Sequence, residues 1–276
     1  MNTMTPVNPN QQLWEKGDFT RIAASMRAAG DALVETFGIR AGMKVLDLGC
    51  GDGTTALPAA QRGADVLGVD IARNLVAAGN ARAAATGLGN LRFRHGCATD
   101  LRDLADATFD LSVSIFGAMF APRPHDVAKE LVRVTRPGGR IVMGNWIPGD
   151  PTIIAQVLKI CGDYLPPPPP GFVSPIRWGV EGDVTERFAA AGIPAAKISF
   201  ARETFRFDAA MSPADYLAEF RDWYGPTMNA YAAAAAQGRE AELHARMLEL
   251  FERSNTSGAA DRMTAPATFL RVTVRR

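Results

Sequence analysis

The sequence predicts an α/β fold: a doubly wound, mostly parallel sheet of seven strands with helices on both faces and a helical insertion between the last two strands. Three observations carry this. Short apolar runs alternate with helix-period segments five times between residues 44 and 146, the pattern of a parallel sheet covered by helices. A glycine-rich turn, Gly49-Cys50-Gly51-Asp52-Gly53, follows the first run directly. Two further strand-like segments, 196–207 and 267–274, bracket a helical stretch from 208 to 262.

Each element has its own warrant. Phe19, Ile22, Ala23, Met26, Ala29, Leu33 and Phe37 recur at helical spacing, so 19–37 reads as one helix stopped by Gly38. Residues 44–48 are nearly continuous in apolar side chains, as suits a strand buried on both faces. Residues 54–62 and 72–86 read as helices, and 65–70, 91–95 and 109–116 as strands. An amphipathic helix over 124–135 stops at Pro137-Gly138-Gly139, and 140–146 is the fifth strand. Helices follow at 152–164 and 183–191, separated by Pro166 to Pro170, a run that must be extended because each proline fixes φ and removes a donor. Ser212-Pro213 supplies an N-cap and a first-turn proline for the helical stretch, which breaks at Gly225-Pro226 and resumes near 239–253. The expected organisation is a helical cap segment over 1–40, a cofactor-binding α/β domain over 41–207, a helical insertion or lid over 208–262, and a final strand of the α/β domain over 263–276.

Thirty basic residues face 29 acidic ones in 276, leaving no overall field for a nucleic-acid backbone or an anionic membrane. Cys50, Cys97 and Cys161 form no Cys-x-x-Cys and are odd in number, which reads as reduced thiols. Residues 1–12 lack a charged start and an apolar run, and no apolar run approaches the ~18 residues of a membrane span. A cytoplasmic protein with a small-molecule partner, and neither nucleic acid nor membrane, is the expectation.

The chemistry sits in Val45-Leu46-Asp47-Leu48-Gly49-Cys50-Gly51-Asp52-Gly53-Thr54. Alternate glycines let the chain turn sharply and bring backbone N–H groups close to a ligand. Asp47 would repel a pyrophosphate but suits a ligand carrying an ammonium. Dinucleotide folds also want glycine at the sixth loop position, where Thr54 stands. Asp70 ends the second strand, 19 residues after Gly51, and its two oxygens could accept from ribose hydroxyls.

With these residues the chain resembles the class I S-adenosylmethionine-dependent methyltransferases, in particular the bacterial group similar to the ubiquinone/menaquinone methyltransferases, whose fold is Rossmann-like. The likeness extends through Val66–Asp70, Gly96-Cys97-Ala98-Thr99-Asp100-Leu101, Phe109–Phe116 and the turn from Glu130 to Arg140. It implies S-adenosylmethionine as cofactor, no metal, and contacts from Trp14, Asp47, Gly49, Cys50, Gly51, Asp70, Ile71, Cys97, Ala98, Ile115 and Phe116. Trp14 would close over the cofactor, Ile71 would pack on adenine, and Ile115 and Phe116 would floor the methionine portion. Cys97 stands where the family usually has an aspartate, and a thiol is a weak acceptor. Adenine would then be read by backbone near Ala98, or by Asp100.

Direct displacement at a methyl on positive sulfur needs positioning and exclusion of water, and a base only where the acceptor must lose a proton. Candidates near the expected acceptor are His125 and Asn145, with Trp146 beside it; His95 and His244 lie further off. Tyr216, Phe220, Trp223, Tyr224 and Tyr231, with Met211 and Met228, either form an apolar lid or, in part, one buried helix stripe. Two alternatives stay open: a protein that binds the cofactor without transferring methyl, and an NAD-dependent oxidoreductase, against which Asp47 and Thr54 argue.

Overall fold

The computed structural model describes residues 8–276, so the first seven residues of the expected cap segment lie outside the described chain. Seven strands form one sheet in the order β3-β2-β1-β4-β5-β7-β6. They are β1 (Lys44–Leu48), β2 (Asp65–Asp70), β3 (Leu91–His95), β4 (Phe109–Ile115), β5 (Thr135–Trp146), β6 (Ile198–Ala209) and β7 (Met263–Arg275). The first five pair in parallel, and β7 runs antiparallel to both β5 and β6. Strand order reverses between β1 and β4, which opens a crevice at their carboxyl ends, the place where open α/β sheets bind ligands.

The helices are α1 (Pro9–Glu15), α2 (Phe19–Ala24), α3 (Arg27–Glu35), α4 (Ala56–Gln61), α5 (Arg73–Thr86), α6 (Pro124–Val134), α7 (Ile153–Gly162), α8 (Glu181–Ala190), α9 (Pro213–Trp223), α10 (Gly225–Ala236) and α11 (Glu240–Ser254). None is long and apolar enough to cross a membrane among the described residues. Helices α9 to α11 follow β6 and precede β7 in the chain. The central strands are buried on both faces, β1 from Val45 to Leu48 and β5 from Ile141 to Trp146, in keeping with apolar runs interrupted only by Asp47 in the first and by Gly144 and Asn145 in the second.

Two boundaries differ from the sequence reading for tertiary reasons. The helix expected over 19–37 is broken at Ser25 and Met26. The Ser25 hydroxyl bonds the Ile22 carbonyl and the Tyr216 hydroxyl, both at 2.7 Å, and its carbonyl accepts from the Asp208 N–H. A backbone committed to α9 and β6 cannot continue the helical ladder. Strand β5 begins at Thr135, not at Arg140, because Thr135 pairs with Phe109 across a register shift before regular pairing resumes at Leu111 and Arg140. The five prolines run exposed and without regular structure.

Candidate functional site

A cleft of about 920 Å³, open to solvent, lies over the carboxyl ends of β1 to β4. At its base Gly49 adopts φ +71°, and the chain there passes directly over Gly117. A Cβ on Gly49 would stand 2.7 Å from the Gly117 Cα, and one on Gly117 would stand 2.2 Å from the Gly49 carbonyl oxygen. Only glycine at both positions lets the first strand's turn nest against the exit of β4.

Two carboxylates frame this turn. Asp47 is fully buried in β1, accepts from the Thr55 hydroxyl through Oδ2, and leaves Oδ1 without a partner among the described residues. Burial above all, and then the charge of Asp70, push it up to about 7, against the lowering effect of the Thr55 and Ala56 donors. An unpartnered buried carboxylate oxygen costs free energy until a cation or donor reaches it. Asp70 accepts from the Gly51 N–H and the Ala72 N–H, both at 2.8 Å, one on each oxygen. Burial raises it as well, offset by those N–H groups. Each oxygen retains a second lone pair, so Asp70 fixes the glycine turn and can still accept from a vicinal diol.

Of the residues expected at the cofactor, all eleven except Asp47 line the cleft: Trp14, Gly49, Cys50, Gly51, Asp70, Ile71, Cys97, Ala98, Ile115 and Phe116. Asp47 lies beneath it, one residue before Leu48, which does line it. Burial, with Asp70 and Asp47 nearby, pushes the Cys50 thiol well up, so it contributes shape and not reactivity. The Cys97 sulfur stands 3.1 Å from the Thr99 hydroxyl. Asp100 is not among the lining residues; its carboxylate is held by Arg102 at 2.6 Å at the surface, whereas Gly96, Cys97 and Ala98 line the cleft.

The catalytic candidates lie elsewhere. His125 is exposed on the first turn of α6. Asn145 is completely buried with both amide atoms unpartnered among the described residues. Alternation along β5 puts Gly144 and Trp146 on the cleft side of the sheet and Asn145 on the other. His95 is part-buried at the end of β3, and His244 bonds the Tyr231 hydroxyl at 3.0 Å on α11. None of the four lines the cleft.

Several lining residues carried no signal in the sequence. Asp52 is buried between Arg27 of α3 and Arg82 of α5, with one oxygen unpartnered among the described residues. Arg27 also donates to the Thr54 hydroxyl at 2.6 Å, tying α3 to the glycine turn. Asn10, Met26, Leu75 and Phe205 reach the cleft from four separate elements or links. The aromatic set expected as lid or stripe divides. Tyr216 and Phe220 are buried; Trp223 is 38% exposed beneath the Arg21 guanidinium; Phe220 and Tyr224 line a second chamber beside the cleft.

Three comparisons bear on this geometry. The family described as "Methyltransferase domain" matches residues 46–143. An uncharacterized protein of Mycobacterium tuberculosis is 36% identical over 231 residues, covering 83% of this chain and 82% of its own. A demethylmenaquinone methyltransferase of Paenarthrobacter aurescens is 35% identical over 114 residues, 41% of this chain and 43% of that one. Among solved structures, the Haemonchus contortus phospholethanolamine N-methyltransferase 2, in complex with phosphomonomethylethanolamine and S-adenosylhomocysteine, aligns with a TM-score of 0.61 at 16% identity. It covers 99% of this chain and 61% of its own, a likeness of fold.

Proposed function

Because the chain belongs to the S-adenosylmethionine-dependent methyltransferases and takes S-adenosylmethionine as its cofactor, we propose that it transfers the methyl group in line to an oxygen, nitrogen or carbon of a small-molecule acceptor. The observation that carries this reading is the pair of carboxylates toward the carboxyl ends of β1 and β2, one with a buried oxygen that lacks a partner among the described residues.

The residues present fit the cofactor. Asp70 would accept ribose hydroxyls while its backbone bonds hold it still, and Asp47, buried beneath the cleft, would set a negative charge under the ammonium group. Ile71 and Ala98 offer apolar surface to a purine, and the Ile115–Phe116 corner floors the cleft toward the acceptor side. Bound there, S-adenosylmethionine would supply an electrophilic methyl group on positive sulfur, with neutral S-adenosylhomocysteine as the leaving group. The chain's own part is to orient, to exclude water and to align the two reactants. Phe220 of α9 and Tyr224 of the link to α10, in the helical stretch read as a lid inserted before the last strand, would close the acceptor side together with Trp14 of α1. Unpaired Cys50, Cys97 and Cys161 support a cytoplasmic setting.

The test has two arms. Titration calorimetry with S-adenosylhomocysteine and with NAD is expected to show binding of the first alone, at one per chain. Radiolabelled methyl from the cofactor is then expected in an acceptor from a panel of small molecules. Binding of NAD in the same cleft would overturn the reading.

A further inference from the structure

Beside the cleft lies a second, narrow chamber that is partly open to solvent, and Trp14, Phe19, Met26 and Phe116 line both. The far walls are formed by Trp146, Phe207, Phe220 and Tyr224, among others. Phe116 is the partition. It holds φ +60° although it is a bulky residue, a strained conformation that persists only where packing enforces it. The enforcement is visible: its ring stacks on Trp146 at 3.7 Å and is braced edge-on by Phe205 and Phe269.

The chamber's chemistry is narrow. No Asp, Glu, Lys, Arg or His lines it among the described residues. Its side chains bring only two indole N–H groups, the Met26 sulfur and the Tyr224 hydroxyl as polar atoms. Tyr224 is buried, 5% exposed, and its hydroxyl makes no hydrogen bond among the described residues. A hydroxyl with no partner among the described residues is free to donate to or accept from a ligand.

We propose that this chamber is the acceptor site and takes a neutral, flat, largely apolar molecule, a conjugated or aromatic ring system whose one hydrogen-bonding group meets the Tyr224 hydroxyl. The proposal rests on the methyltransferase reading and names the substrate class for it. A carboxylate or phosphate here would be buried with no cation beside it, and an ammonium would be buried with no carboxylate and next to a positive sulfur; either is costly. Stacked and edge-on rings on several walls favour a planar occupant, since aromatic faces and edges attract one another. Tyr224 is a binding residue in this scheme: it orients the acceptor about its polar group.

The experiment uses the full chain saturated with S-adenosylhomocysteine and follows the binding of 2-naphthol, 2-naphthoate and 2-naphthylmethylammonium by calorimetry. Naphthol is expected to bind at least ten-fold more tightly than either ion. Tyr224→Phe, which keeps the ring, is expected to weaken naphthol three- to ten-fold and to leave the S-adenosylhomocysteine affinity unchanged. Equal or tighter binding of either ion, absence of naphthol binding, or an unaltered naphthol affinity in Tyr224→Phe overturns the proposal. Failure of S-adenosylhomocysteine itself to bind would strike the methyltransferase reading instead, so the two are separable.

Discussion

Asp47 is asked to be buried for the fold and charged for the ligand, and these demands oppose each other. With its carboxyl pushed up to about 7, the folded chain holds that proton more tightly than the unfolded chain does. Stability therefore falls as pH rises from the ordinary carboxyl range through about 7, and the penalty is complete above it. Asp47→Asn keeps the shape and removes the charge. The ligand-free variant is expected to be more stable than the parent at pH 8, on the order of 2 kcal/mol, and no more stable at pH 4. Its S-adenosylhomocysteine affinity is expected to drop at least ten-fold, since the ammonium loses its counter-charge. In the parent, affinity should rise with pH up to about 7 and then level off. Urea midpoints and calorimetry across pH check both halves; a variant that is destabilised at pH 8 removes the premise. At this scale the sequence was legible where a place at the cleft is set by local spacing, as with Gly49, Gly51 and Asp70. It was silent where a side chain crosses between elements. Arg27 meets Asp52 from 25 residues away, and no periodicity on α3 marks it. Asn145 misled for a related reason: its place at the end of β5 was right, but the pleat turns it from the cleft.

Helix α1 shows how one element is placed by others. It buries no residue fully, so its position rests on interlocking with the turn between α9 and α10. A Cβ on Gly17 would come within 2.1 Å of the Trp223 carbonyl oxygen, and one on Gly225 within 2.3 Å of the Leu13 carbonyl oxygen. The two segments approach backbone to backbone because both positions are glycine. Lys16 donates to Asn229 at 2.7 Å, and the Arg73 N–H donates to Glu15 at 2.9 Å. Trp14 rides on this dock, 4.9 Å from Phe120 and 5.9 Å from Tyr224. Gly225→Ala is therefore expected to undock α1 while leaving the sheet intact. Amide exchange across residues 10–16 should quicken, S-adenosylhomocysteine should bind several-fold more weakly, and the unfolding free energy from urea titration should fall by less than about 1 kcal/mol, because short surface elements open at little global cost. Unchanged exchange in that window would mean that the glycines are incidental. Such docking was invisible in the sequence, where Gly225-Pro226 reads as an ordinary helix break. The element list itself was largely readable, because apolar period decides strand or helix. The exceptions, at Ser25 and Thr135, are backbone groups claimed by distant partners.

The whole molecule is tied together by its last strand. Ala209 pairs with Met263, so β6 and β7 form one long hairpin whose connection is the helical stretch α9 to α11. β7 then lies between β5 and β6, which makes the final residues part of the sheet's interior. The hydrophobic core is continuous across this junction: Leu217, Phe220, Met247 and Phe251 of the helical stretch belong to the same buried cluster as Val45, Val113 and Val272 of the sheet. An insertion attached only by its two ends could melt alone; one that shares a core with the sheet cannot expose that core without unfolding it. A single calorimetric transition is therefore expected, with equal calorimetric and van't Hoff enthalpies. S-adenosylhomocysteine at 100 times its Kd should stabilise that one transition by about 2.7 kcal/mol. The shift should be the same when read by exchange in β1 or in α11, although α11 lines neither the cleft nor the second chamber. Two transitions, with only the sheet responding to ligand, would make the helical stretch an autonomous unit and would detach the acceptor chamber's roof from the cofactor's cleft. In that event Phe220 and Tyr224 could not be held in register with Phe116 by folding alone, and the alignment of the two reactants would have to come from the acceptor itself.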